Sequence, residues 1–153
     1  MKNLFFVLGI MLFSLNACEE SSLRKEYNVQ DFSSDHASQS WDSTSTANKL
    51  IGSWQWVYTE SCVEGNLTGE GKTSEEFIVE IRSTEIRIYR QDEFVESTGW
   101  SLEIEDGSYF GINTQSGIHQ LRGRILFSGD RILFQNSYLD GTDNYFIKYL
   151  VED

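Results

Sequence analysis

Two cysteines, two histidines and a scatter of paired acids are the side chains of this 153-residue chain that could do chemistry. Cys62 with His119 and Asp106 or Asp130 would supply a thiol, a base and an orienting carboxylate, but no local signature ties them together. His36 sits in a serine-rich stretch that offers nothing to hold it in register with a partner. His119, beside Gln120 at a strand start, reads as a solvent-facing side chain. The chain has no G-x-S-x-G elbow and no histidine spacing that suits a metal. Asp140, Thr142, Asp143 and Asn144 crowd oxygen ligands together. Their spacing departs from the twelve-residue calcium loop, and turn chemistry accounts for them. Glu75, Glu76, Glu80 and Glu85 could pair as acid and base, yet at a net charge of −12 they read as a solvated face. The expectation is a chain that is not an enzyme and has no catalytic residues, no metal and no cofactor.

The other cysteine belongs to a different chemistry. Behind Lys2, residues Leu4 to Phe13 form an apolar run of about ten residues, the size of a signal-peptide core and short of the ~20 needed to cross a bilayer. Leu15-Asn16-Ala17-Cys18 closes it and resembles the lipobox of bacterial lipoproteins, with Asn16 a departure from the usual small or aliphatic residue. The resemblance implies that residues 1–17 are a lipoprotein signal peptide and that Cys18 is acylated, palmitate among its chains. The chain then attaches to the membrane through that acyl anchor, as an outer-membrane lipoprotein of the cell envelope on its periplasmic face or the cell surface. Several acyl chains on one cysteine make such anchoring stable where one would be marginal. Cys62 is left without an intramolecular partner, open to three readings: a buried small hydrophobe, an intermolecular disulfide, or a reactive thiol. No basic neighbour favours the last.

Charge narrows the partners. Loss of the leader removes Lys2 and takes the net charge to −13. Nucleic acid and anionic lipid both select basic patches, so neither is expected as an electrostatic partner. From Cys18 to Asn48 the chain reads as a disordered acidic tether. Serines crowd it (Ser21, Ser22, Ser33, Ser34, Ser38, Ser40, Ser43, Ser45), and its apolar residues show no period. About thirty such residues span roughly 30 Å on average. Glu19-Glu20 is similar to the acidic address on surface lipoproteins of Bacteroidetes. Asp42-Ser43-Thr44 resembles that group's O-glycosylation acceptor, though it also reads as plain linker.

Residues 49–153 have another character, with aromatic and β-branched types and turn signals every eight to twelve positions. Eight strands are expected: Ile51–Glu60, Glu75–Arg82, Glu85–Gln91, Phe94–Glu103, Ser108–Thr114, Ile118–Phe127, Arg131–Asn136 and Asn144–Val151. A polar loop, Ser61 to Ser74, follows the first. Asp106-Gly107 marks a hairpin, and Gly123 a bulge or bend in the sixth strand. Connections this short force antiparallel pairing. Closing the last strand on the first removes two exposed edges, so the expected architecture is all-β: an antiparallel up-and-down eight-stranded β-barrel. A two-sheet sandwich is the alternative.

Gly52-Ser53-Trp54 at the start of the first strand matches the G-x-W of lipocalins. Leu50 to Val57, Ser128-Gly129-Asp130, and Asp140-Gly141 with Tyr145 resemble the compact lipocalin-like domains of Bacteroidetes lipoproteins. The resemblance covers about residues 50–151. It implies that Trp54 closes one end of the barrel and that Lys148 lies across it in place of the family's arginine. Lysine stacks less well on indole than a planar guanidinium. A barrel of eight strands has room either for its own side chains or for one small ligand. Trp54, Trp56, Tyr58 and Trp100, with Phe77, Phe134, Tyr145 and Tyr149, could plug it. They could also line a cup, with Trp54, Trp56, Tyr58, Tyr145 and Tyr149 as ligand-binding residues for a small apolar or amphipathic molecule. A plugged barrel would instead suit a protein-interaction module docking on an envelope partner.

Overall fold

The computed structural model describes residues 27–63, 66–72 and 76–150, with 62–72 as backbone alone. The leader, Cys18 and the side chain of Cys62 lie outside the described residues. Nine strands occur among them: β1 (Gly52–Val63), β2 (Asn66–Lys72), β3 (Phe77–Ile81), β4 (Glu85–Arg90), β5 (Glu93–Asp106), β6 (Tyr109–Thr114), β7 (Arg124–Ser128), β8 (Arg131–Gln135) and β9 (Thr142–Lys148). Eight form one antiparallel sheet in the order β6-β5-β4-β3-β1-β9-β8-β7, and β2 pairs β1 off that path. The last strand does meet the first, Trp54 opposite Lys148 and Thr59 opposite Asn144. The meander curls until β6 faces β7, which approach without a ladder, so the barrel is nearly closed.

Side chains stitch that seam. Arg124 on β7 pairs with Asp106, and its guanidinium lies 3.9 Å from the Tyr138 ring centroid and 5.2 Å from that of Tyr109. The Tyr138 hydroxyl donates to Glu105 at 2.8 Å. Burial, with the Glu105 carboxylate beside it, pushes that phenol up to about 12.

Inside, inward positions alternate as expected along β3 (Phe77, Val79, Ile81) and β4 (Ile86, Ile88), joined by Ile125, Phe127, Ile132, Phe134 and Phe146. β5 is long because it serves two partners, β4 up to Gly99 and β6 from Trp100 onward. Gln91 and Asp92 both have positive φ in the β4–β5 turn, the primed geometry that matches strand twist.

Three expectations change. The tether to Asn48 is ordered over its described part, in two helices, α1 (Val29–Ala37) and α2 (Ser43–Leu50). Asn28 caps α1 by accepting from the Gln30 N–H. Asp42 and Ser45 form a reciprocal capping box on α2, so Asp42 serves here as a helix cap. Phe32 is fully buried with Tyr27 against Tyr58, Leu126, Leu133 and Tyr145 on the barrel's outer face. That burial supplies the driving force a solvated serine-rich chain would lack. Second, the Ser61–Ser74 loop is largely a hairpin, because β1 runs on to Val63 and turns into β2. Third, the sixth strand begins only at Arg124. Before it, His119–Leu121 is a 3-10 turn that carries Ile118 and Leu121 into the core at a spacing of three rather than two.

Candidate functional site

The two ends of the barrel differ. At one end the Trp54 indole donates to the Leu50 carbonyl at 2.7 Å, and Lys148 Nζ stands 4.4 Å from its ring centroid while donating to the Ile51 carbonyl at 3.0 Å. Burial and the nearby Lys49 lower the Lys148 pKa. Gly52 has φ +132, and a Cβ there would stand 2.3 Å from Lys148 Nζ. The glycine of G-x-W is thus demanded by its backbone, while the lysine over it presents only the movable end of a flexible side chain. Leu50 at the end of α2 and Trp41 before it pack into the same core, so this end is sealed.

The opposite end holds a cleft of about 340 Å3. Buried Phe77, Ile88 and Ile118 form its floor, and Arg90, Glu96 and His119 stand at its rim. The Arg90 guanidinium lies over the Phe77 ring at 4.9 Å. Trp56, half-buried, meets Phe77 edge-on at 5.8 Å. This size falls at the lower end of ligand sites, about 300–1,000 Å3.

The five aromatic residues expected to share a wall do not. Trp54 and Trp56 belong to the interior cluster. A register shift between Trp56 and Tyr58 inserts Val57 as a bulge and turns Tyr58 to the outer face. There Tyr27 stacks on Tyr58 at 5.4 Å, and Tyr145 joins them at 5.5–5.6 Å beneath α1. The Tyr145 hydroxyl is buried without a hydrogen-bond partner, its pKa raised by burial and by the Asp143 and Glu60 carboxylates. Tyr149 lines an outer groove of about 320 Å3 with Ser53, Ile78, Glu80, Tyr89 and Asp92. None of the five lines the mouth cleft, and Trp56 comes nearest to it through its edge-on contact with Phe77.

The catalytic combinations fare as their residues are placed. His119 is exposed. Asp106 is held by Arg124, and Asp130 faces Lys49 at 3.8 Å. His36 is ordered after all. Its ring stacks on Trp41 at 5.2 Å and on Tyr109 at 5.7 Å, and Nδ1 accepts from the Phe127 N–H at 3.3 Å. Desolvation lowers its pKa. Asp143 is buried, with its carboxyl raised by desolvation, and accepts from the N–H groups of Asn136 and Ser137 and from the Ser137 hydroxyl. Those contacts fix the turn between β8 and β9. Among the described residues no three His, Cys, Asp or Glu side chains gather as metal ligands. No helix among them is long and apolar enough to cross a membrane.

Arg90, Ile118 and Leu121, which shape the mouth, escaped sequence reasoning. Two apolar residues three apart beside Gly117 were the available signal. No family model, curated protein or solved structure matches this chain.

Proposed function

We propose that this chain is a cell-envelope lipoprotein of the Bacteroidetes type, with a signal peptide ending at Ala17 and an outer-membrane acyl anchor on Cys18. Its lipocalin-like barrel binds a small apolar or amphipathic molecule at the mouth. The observation that carries the reading is the asymmetry of the ends. One is sealed by Leu50, Trp54 and Lys148, and the other has an apolar floor of Phe77, Ile88 and Ile118 under a polar rim. A pocket of that make-up orients an amphiphile through few polar groups while apolar contact supplies affinity. The chain carrying Cys18→Ser, and hence free of acyl groups, titrated with fluorescent fatty acids and a sterol probe, is expected to bind at least one of them. Val95→Glu adds a charge to the cleft wall at a half-exposed position and should weaken binding about tenfold without changing the fold. No saturable binding by any probe would refute the reading.

A second reading, docking on an envelope protein, is favoured by the filled interior, where Phe77, Phe134, Phe146, Ile132 and Trp54 are almost wholly buried. Cross-linking in native membranes should then yield one specific adduct, and a smear of adducts would count against it.

A further inference from the structure

The mouth is narrowed by one short segment, and four features of it point the same way. A second cleft, of about 490 Å3, lies beside the first and runs past Ile112, Asn113, Thr114, Arg122 and Leu139. Both clefts are lined by Gly117 and Ile118, so the segment is the wall between them. Its Ile118 and Leu121 side chains, 8% and 1% exposed, fill the barrel from the end instead of from a strand.

Its described hydrogen bonds are few. Leu121 N–H donates to Ile118 O, and Arg122 N–H to His119 O, both within the segment. Only the Ile118 N–H reaches out of it, to Thr114 Oγ at 3.3 Å. Positive-φ glycines stand at both ends, Gly117 at +65 and Gly123 at +99. A segment attached mainly by two side chains and one hydrogen bond belongs to the low-stability end of local opening.

We infer that Ile118–Arg122 is a movable plug, hinged at Gly117 and Gly123, whose withdrawal joins the two clefts into one entry to the barrel for a small amphiphile. The inference rests on the mouth-binding reading and deepens it. Withdrawing Ile118 and Leu121 uncovers Phe77, Ile88 and Ile112 for the apolar body. His119 on one side, with Asn113 and Arg122 on the other, stands where the polar head would lie. Because the joined cleft offers the ligand more apolar surface than the closed mouth, apparent affinity rises with the open fraction.

Two variants shift that fraction without touching the floor. A Cβ at Gly123 would stand 2.0 Å from the Gln135 carbonyl oxygen, so Gly123→Ala forces the hinge away from its closed position. Thr114→Val removes the outward hydrogen bond, and because Thr114 also lines the second cleft, a gain in affinity supports the plug only when exchange at residues 118–122 quickens with it. N-phenyl-1-naphthylamine, a neutral apolar fluorophore, is titrated into the acyl-free Cys18→Ser chain and into both variants made in it. Amide hydrogen exchange is followed in parallel.

Affinity should rise about two- to tenfold in Thr114→Val, the worth of one hydrogen bond, and at least as much in Gly123→Ala. Exchange at residues 118–122 should quicken while the β7–β8 ladder stays protected. Binding in the variants alone would also support the plug. Equal affinity in all three chains, with binding present, overturns the plug and leaves the mouth reading standing. Absence of binding in all three overturns both. If Gly123→Ala fails to fold, Thr114→Val decides.

Discussion

Phe32→Ala separates a docked helix from a tether. Phe32 is wholly buried, its ring 5.5 Å from Tyr145 and 5.1 Å beneath the Arg131 guanidinium, in a cluster with Leu126, Leu133 and Tyr58. Truncating a buried phenylalanine costs about 3–5 kcal/mol through lost transfer energy and the cavity left behind. Here the loss has a ceiling. If α1 detaches instead of leaving a void, the cost stops at the free energy with which α1 docks. A value below about 3 kcal/mol with α1 amides freely exchanging would therefore measure docking, and a value within the range would measure the cavity. Either is a large share of a typical 5–15 kcal/mol stability. At about 2–4 °C per kcal/mol for a chain of this size, the melting midpoint falls by roughly 10 °C. Urea unfolding followed by tryptophan fluorescence reads it, with exposed Ser34→Ala as the neutral control. A midpoint within 1 °C of the parent would place Phe32 in solvent and refute the account of α1.

His36 has a folded pKa below 6.5, so its contribution to stability is complete above that pH and lost as pH falls below it, where the unfolded chain binds the extra proton. The slope cannot exceed about 1.4 kcal/mol per pH unit. His36→Phe should flatten the difference between urea midpoints at pH 7.5 and 5.5, and an unchanged difference would acquit His36. Tyr145→Phe deletes a buried hydroxyl that has no partner, and stability is expected to hold or to rise by up to about 1 kcal/mol. A loss above 1 kcal/mol would mean that the hydroxyl is bonded. Gly52→Ala at φ +132 should cost about 1–3 kcal/mol. In the Lys148→Met background the cost should persist, since the backbone and not the lysine sets it; full rescue would reverse that assignment.

The strands were legible because β3 and β4 alternate cleanly and Asp106-Gly107 and Ser128-Gly129-Asp130 are unambiguous turns. Lys148 over Trp54 was legible as well, through the resemblance of its G-x-W start. Tyr58 is misread because a single bulge at Val57 flips the parity of the rest of β1, and no residue type announces a bulge in a run of aromatics, whereas Tyr145 is misread because in β9 it is the alternate position, Phe146, that points inward. The helices hid behind composition. Val29, Phe32 and His36 fall at i, i+3 and i+7 along one helical stripe, and Asn28 and Asp42 are good caps, but eight serines outweighed them. His36 gains its environment from Tyr109 and Phe127, more than seventy positions away along the chain, which no local pattern could supply.

The docking of α1 alters how far the domain can roam. On the proposal that Cys18 carries acyl chains, nine residue steps lie between that anchor and Tyr27, which is stacked on the barrel wall. Those steps can reach at most about 30 Å, against about 100 Å for the thirty steps to Asn48. A barrel so anchored would not patrol the envelope. On that proposal, whatever the barrel takes up or meets would have to come within one domain's width of the membrane.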